Sequence, residues 1–185
     1  MKRLFLAWGF GFALQAGAAD WSLIALMEGR QTIRAETAHF SETKTSHLLT
    51  RPIKATGTLT YAAPDKLEKI TLAPTPETIR LDGETLTGIR ADGEEFSLDI
   101  GSQSEVASLV EGIRSTLAGD LITLRRHYEI GFDGAREHWR LDLEPRNGRV
   151  RGKVERISVS GSGLQIGVIE VFETDGDHSE MTISP

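Results

Sequence analysis

The sequence predicts a mainly β protein: a curved antiparallel sheet whose concave side is closed by two helices. Three observations lead to this fold class. Turn signals containing glycine interrupt the chain at short intervals, the segments between them alternate polar and apolar residues, and two stretches instead repeat apolar residues at three- and four-residue steps. A single sheet in which many strands have one apolar face must curve so that this face is covered. Two amphipathic helices would cover it.

The first 19 residues have the pattern of a secretory signal peptide. Two basic residues precede an apolar run from Leu4 to Leu14, and small residues follow it. This run of about 11 residues is shorter than the roughly 20 that a membrane-spanning helix needs, which favours cleavage over a retained anchor. We expect cleavage after Ala18 or Ala19, so that residues 20–185 form one exported mature domain.

Composition excludes several classes of protein. The chain has no cysteine, so we expect no disulfide framework, thiolate metal site, cysteine nucleophile or lipid attachment. It has 21 Lys and Arg against 27 Asp and Glu, and loss of Lys2 and Arg3 leaves 19 against 27, a net charge of −8. Nucleic acid and bare anionic membrane are poor partners for that charge. We expect a monomer without a cofactor.

The first stretch with helical periodicity runs from Trp21 to Ile33. Its apolar residues form one broad stripe, and Arg30 and Arg34 favour the C-terminal end of a helix. The sequence therefore predicts an amphipathic helix at the start of the mature chain.

Six turn signals then divide the predicted strands. Aspartate or asparagine before glycine supplies the positive φ angles that tight hairpins need. The last four signals are spaced about 14 residues apart, which leaves roughly ten residues of strand between them and predicts a C-terminal meander. The signals are Asp82-Gly83, Asp92-Gly93, Asp133-Gly134, Asn147-Gly148, Gly161-Ser162-Gly163 and Asp175-Gly176.

Between these turns, apolar residues alternate with polar ones. The alternation is clearest from His138 to Glu144, where one face is apolar and the other is charged. The apolar residues on the alternating segments are Leu59, Tyr61, Phe96, Leu98, Trp139, Leu141, Leu143, Ile157 and Val159.

The second helical stretch opens with Ser102 or Ser104 as a cap and stops at Gly119. Its apolar stripe, at three- and four-residue steps, consists of Val106, Leu109, Val110, Ile113 and Leu117. Gly112 within the stretch should weaken the helix by up to about 1 kcal/mol relative to alanine, which would suit a moving element.

Several short motifs occur in a familiar order across nearly the whole mature chain. Phe40-Ser41-Glu42-Thr43-Lys44 follows the first helix, an apolar strand from Gly57 leads to a turn at Pro64, Asp82-Gly83 opens a hairpin, and Gly119-Asp120 ends the second helix. Together these motifs resemble the LolA-type outer-membrane lipoprotein carrier family. The signal without cysteine agrees with the soluble carrier and not with the lipid-anchored receptor that shares its fold.

This resemblance implies an incomplete β-barrel closed by helices, with an apolar cavity that carries the acyl chains of a lipoprotein or lipid through the periplasm. It also implies an inner-membrane donor, an outer-membrane acceptor and no enzymatic activity. The candidate lipid-binding residues are Leu59, Tyr61, Phe96, Leu98, Val106, Leu109, Val110, Ile113, Leu117, Trp139, Leu141, Leu143, Ile157 and Val159.

The chain departs from the family pattern at three places. Ala63 stands where the carriers have an arginine that ties the lid shut, and Thr87 lies where an aromatic residue is expected. The chain ends at Pro185, which leaves little room for the C-terminal extension that meets the receptor. The resemblance therefore indicates a divergent paralogue that serves another lipid or a dedicated export system.

Two alternatives stay open. The candidate residues can be ordinary core, in which case the protein is an interaction module with a solid interior that docks an envelope protein. A periplasmic hydrolase would need a serine or carboxylate beside a histidine, for example Asp120, His127 and a serine. The five histidines show no i, i+4 pair of the kind that holds zinc in HExxH sites, and we expect them to be solvated.

Overall fold

The structure is a computed structural model that describes residues 21–102 and 104–185, without the side chains of residues 102–106. The expected signal peptide, residues 1–19, lies outside the described residues. The described chain forms one antiparallel sheet of 11 strands with helices on one side. The sheet is open, since its two outermost strands do not pair with each other. The predicted fold class, an incomplete barrel with helices, is confirmed.

The strands follow one another along the sheet with few exceptions. Their order is β6-β5-β4-β3-β2-β1-β11-β10-β9-β8-β7, so the first and last strands of the chain, β1 and β11, meet in the middle. The strands are β1 (Ala35–Thr45), β2 (Ile53–Ala62), β3 (Lys66–Ala73), β4 (Glu77–Asp82), β5 (Thr85–Arg90), β6 (Glu95–Asp99), β7 (Tyr128–Ala135), β8 (His138–Pro145), β9 (Val154–Ser162), β10 (Gln165–Glu173) and β11 (His178–Ser184).

The register of these strands defines one concave face. Residues directly opposite each other in an antiparallel pair lie on the same face. Leu59 pairs with Lys69, and Leu141 pairs with Val159. Following such pairs across the sheet places all nine apolar residues of the alternating segments on this one face. The predicted sharing of a face is confirmed.

The helices in the described part of the chain are α1 (Leu23–Arg30), α2 (Ser104–Ala118), α3 (Leu121–His127) and α4 (Gly148–Arg151). The Ser22 side chain caps α1, which ends before the predicted Ile33. Helix α2 ends as predicted at Gly119, whose φ of 69° is a conformation that side chains other than glycine avoid. None of the described helices has the length and the apolar character needed to span a membrane.

Two turn signals do not form the tight hairpins that we predicted. Gly134 lies inside β7, and the β7–β8 turn is formed by residues 136 and 137 because pairing continues to Ala135 and His138. Asn147 instead caps the short helix α4, since its side chain accepts a hydrogen bond from the Arg149 backbone nitrogen at 2.9 Å. The other four signals do turn the chain between neighbouring strands.

The packed core lies at the β7–β9 end of the sheet. There the concave face is covered by Leu26 and Met27 of α1, Leu124 of α3 and Val150 of α4, each at most 1% exposed. Helix α3 is not predicted by the sequence analysis, because its seven residues are too few to show a clear period. Four helices of the described chain therefore lie over the sheet where we predicted two, and α1, α3 and α4 fill one end of it with side chains.

Arg30 at the end of α1 holds three elements together. It is 1% exposed, and its guanidinium pairs with the Glu36 carboxylate on β1. It also donates to the Leu117 carbonyl oxygen of α2 at 3.1 Å and to the Leu164 carbonyl oxygen of the β9–β10 turn at 3.0 Å. One buried side chain thus links the C-terminal end of α2 to both halves of the sheet.

Helix α2 is also fixed by Tyr128 of β7. The Tyr128 hydroxyl lies 3.1 Å from the Ser108 hydroxyl and also donates to the Ser108 carbonyl oxygen. A Cβ atom added at Gly112 would lie 2.8 Å from the Tyr128 hydroxyl oxygen and 3.0 Å from the ring carbon that bears it. Glycine at this position therefore makes room for the tyrosine, which is a packing role and not the weakening of a mobile helix.

We expect Arg30→Ala to lower the free energy of unfolding by about 3 kcal/mol, because it leaves a carboxylate and two carbonyl groups without their buried partner. The measurement is urea unfolding followed by circular dichroism. Arg80→Ala is the control, since it breaks the exposed pair with Glu68 and should cost less than about 1 kcal/mol. Equal losses in the two variants would contradict the linking role of Arg30.

We expect Gly112→Ala to destabilise the protein by roughly 1–3 kcal/mol, because the added methyl group overpacks the contact with Tyr128. A loosely attached α2 would instead gain up to about 1 kcal/mol from the better helix former. Gly148→Ala in α4 is the matched control, because a Cβ atom there meets nothing within 4 Å. The sign of the change in urea unfolding decides between a packed and a loose α2.

Candidate functional site

A large cavity lies between the concave face of the sheet and α2. Its volume is about 990 Å³. One wall is formed by β1 to β5 and the other by β9 to β11, and the apolar stripe of α2 faces both. The cavity occupies the part of the concave face that the packed core leaves uncovered.

Seven of the 14 candidate residues line this cavity. Leu59 and Tyr61 project from β2, and Trp139 stands at the beginning of β8. The other four are the α2 residues Leu109, Val110, Ile113 and Leu117. The structure therefore brings together residues from distant parts of the sequence on one apolar surface.

Four of the remaining candidates contribute to the packed core instead of the cavity wall. Leu141, Leu143, Ile157 and Val159 are each at most 1% exposed and contact the helices that cover that end of the sheet. They share the concave face with the lining residues, but α1, α3 and α4 have already filled the space in front of them. Sequence alternation identifies the face, and it does not distinguish its filled part from its open part.

The last three candidates lie toward the β6 edge or cannot be placed. Phe96 and Leu98 are on the concave face of β6 and are not among the lining residues. The Phe96 ring packs over Gly88 of the neighbouring strand, where a Cβ atom would collide with it. The side chain of Val106 lies outside the described residues.

The candidate list omitted ten valine, leucine, isoleucine and methionine residues of the wall. Several of them alternate along a strand, as Ile79 does with Leu81 and Met181 with Ile183, so the same period-two signal could have identified them. Their strands carry charged residues at many other positions, which made the apolar side less evident. The ten are Leu67, Ile79, Leu81, Leu86, Ile166, Val168, Ile169, Val171, Met181 and Ile183.

The wall also contains a small polar cluster, formed by Glu42, Lys69 and Ser179. The Lys69 ammonium lies 2.6 Å from one Glu42 carboxylate oxygen, and the Ser179 hydroxyl donates to the other at 2.9 Å. The same ammonium is 4.9 Å from the centre of the Phe40 ring, a cation–π contact. These groups are only partly exposed, with 30% of the Lys69 side chain and 19% of Glu42 accessible to water.

A second polar site lies at the α1 end of the cavity, around Tyr61. Burial of this tyrosine raises its pKa, and the Glu36 charge acts in the same direction while the Arg30 charge opposes it. The hydroxyl therefore stays protonated at neutral pH and is a hydrogen-bond donor. Ala63, where the resemblance implies a lid arginine, donates its backbone nitrogen to the Arg34 carbonyl oxygen. Here the buried arginine that holds α2 is Arg30.

The residues suggested for a hydrolase are far apart. Asp120 caps α3, and its side chain accepts from the Thr123 backbone nitrogen at 3.0 Å. Burial alone would raise the pKa of Asp120, but these cap hydrogen bonds lower it. His127 is the last residue of the same helix, so the two are separated by about 10 Å along the helix axis. The structure does not pair them.

Two of the described histidines lie beside carboxylates: His178, whose Nε2 is 3.5 Å from a Glu170 carboxylate oxygen, and His47. His47, Asp175 and Asp177 have side-chain atoms within 4.8 Å of one another, although they come from opposite ends of the sequence. Asp177 accepts from the His47 backbone nitrogen at 2.9 Å and lies 2.8 Å from its ring nitrogen. Hydrogen bonds from Ser46 and His47 lower the pKa of Asp177 to about 2. These hydrogen bonds hold the β1–β2 loop against the β10–β11 loop, which explains why the three side chains lie together.

Comparisons with known proteins agree with this architecture. A candidate outer membrane lipoprotein-sorting protein domain from Vibrio parahaemolyticus superposes with a TM-score of 0.50 at 10% sequence identity, covering 88% of this chain and 89% of that one. A LolA superfamily protein from Nitrosomonas europaea gives a TM-score of 0.49 at 9% identity, covering 88% and 90% of the two chains. No curated protein matches in sequence.

A family model settles the relationship. The model described as outer membrane lipoprotein carrier protein LolA-like matches residues 13–184, which is nearly the whole chain. The match includes the strands and the helix that build the cavity. The chain therefore belongs to the LolA-like family of outer membrane lipoprotein carrier proteins.

Proposed function

We propose that this protein is a periplasmic carrier that binds the acyl chains of a lipoprotein or lipid in the cavity and takes them toward the outer membrane. The observation that carries the proposal is the cavity of about 990 Å³ between the concave sheet and α2. Small-molecule sites typically measure roughly 300–1,000 Å³, so this one is at the upper end. Membership of the LolA-like family supports the same direction.

The physical reason for such a carrier is the cost of exposing hydrocarbon to water. Each methylene group that leaves water contributes about 0.8 kcal/mol, so acyl chains do not cross an aqueous compartment uncovered. Leucine, isoleucine, valine and methionine side chains from both walls can replace that water. Leu59 and Ile113 represent the two surfaces between which a chain would lie, the sheet and α2.

A carrier must also release its cargo, because a carrier that binds its cargo too tightly delivers nothing. The cavity offers a broad apolar surface with few polar anchors, so most of its binding free energy is non-directional. An acceptor with a comparable apolar surface can therefore take over the chains. In this proposal the signal peptide of residues 1–19 directs export, an inner-membrane protein donates the cargo and an outer-membrane protein accepts it.

The alternative is an interaction module with a solid interior. In such a protein the whole concave face would be packed, as the β7–β9 end is here. The difference lies in β1 to β5, where Leu59, Leu67 and Leu81 line open space. A module that only docks partners on its outer face has no need for this space. We therefore favour the carrier.

We expect Ala38→Trp to weaken binding of an uncharged fluorescent diacylglycerol at least about tenfold, because the indole would occupy the centre of the wall opposite α2. His39→Trp is the matched control, since the adjacent residue of β1 is exposed and points to the outer face. Fluorescence titration measures binding, and circular dichroism checks that both variants keep the β signal. The same affinity in both variants, or none in the wild type, would overturn the carrier function.

A further inference from the structure

The cavity wall changes character along β1. At the α1 end, Glu36 is held by Arg30, and at the other end Glu42 belongs to the polar cluster with Lys69 and Ser179. Glu42 follows Glu36 by six residues, which is about 20 Å along a strand. Half of a bilayer's hydrocarbon core measures about 15 Å, so the wall between the two sites can accommodate acyl chains of membrane length.

The cations of the wall are compensated. Lys69 pairs with Glu42, and Lys44 lies 3.8 Å from Glu173 on β10. Within the described residues that line the cavity, these are the lysines, and no arginine is among them. An anionic head group that approaches either lysine would thus also approach a carboxylate. It would have to displace that carboxylate or be repelled by it. A zwitterionic head group avoids this repulsion, because its cation can lie next to the carboxylate.

The polar cluster retains free hydrogen-bonding capacity on both of its charges. An ammonium group has three donors, and Glu42 takes one from Lys69. A carboxylate has about four acceptor positions, and Lys69 and Ser179 use two of those on Glu42. The cluster can therefore donate to a phosphate and accept from a primary ammonium at the same time, next to an apolar wall.

We propose that the polar cluster of Glu42, Lys69 and Ser179 binds the head group of a zwitterionic phospholipid that carries a phosphate and a primary ammonium. This inference rests on the proposed carrier function and names its cargo class. The phosphate lies against Lys69, the ammonium lies against Glu42, which Ser179 keeps in place by its hydrogen bond, and the acyl chains extend along the wall toward α2. A net-neutral head group is selected over an anionic one because the cluster is itself net-neutral.

The test compares phosphatidylethanolamine with phosphatidylglycerol of identical chains, each displacing the fluorescent diacylglycerol from the purified protein. The wild type should prefer phosphatidylethanolamine by about fivefold or more, the size of a partly exposed charge interaction. Glu42→Gln leaves Lys69 uncompensated and should shift the ratio of affinities toward phosphatidylglycerol. Lys69→Gln leaves Glu42 uncompensated and should shift it further toward phosphatidylethanolamine.

The control variant is Glu94→Gln, which breaks the ion pair with Arg90 in the exposed β5–β6 turn and should leave the ratio unchanged. If the wild type binds both phospholipids equally, or if the two cluster variants shift the ratio in the same direction, the head-group site is refuted while the carrier function stands. If the diacylglycerol probe itself does not bind the wild type, the carrier function fails first. A wild type that binds phosphatidylglycerol more tightly than phosphatidylethanolamine also refutes the site.

Discussion

The structure depends on how one apolar sheet face is removed from water. An antiparallel sheet of 11 strands presents more apolar surface on its concave side than the short helices of this chain can cover. At the β7–β9 end, α1, α3 and α4 pack against the face until residues such as Leu141 are fully buried. At the β1–β5 end only α2 lies over the face, and at a distance that leaves the cavity. One constraint thus produces a solid half and a hollow half.

A few buried polar contacts tie the helices to both halves of the continuous sheet. Arg30 connects α1, β1, the β9–β10 turn and the end of α2. Tyr128 fixes α2 to β7 through Ser108, and Arg114 donates to the Gly83 carbonyl oxygen at 2.9 Å on the far side. Because α2 is held at both sides by polar bonds, it can span the cavity without needing side chains beneath it.

The sequence predicts the sheet well, since alternation depends only on the strand itself and on which face is wet. It identifies Leu59 and Leu141 as residues of one face, and the register agrees. It cannot tell that Leu59 lines a cavity and Leu141 does not, because that difference is made by helices elsewhere in the chain. Helix α3 is too short to show a period, and the contact of His47 with Asp177 joins residues that no local pattern relates.

A hollow half has a thermodynamic consequence for the proposed carrier function. Apolar walls without a packing partner lose dispersion contacts, so this half contributes less to folding than the core at β7–β9. Acyl chains bound there, as proposed, would restore those contacts, and ligands that bind only the folded state stabilise it. The solid half, centred on Leu143 and Ile157, is packed by the protein's own side chains. The wall and the core are nevertheless connected through the sheet, because Met181 of the wall pairs with Ile169, which lines the cavity and also belongs to the packed core.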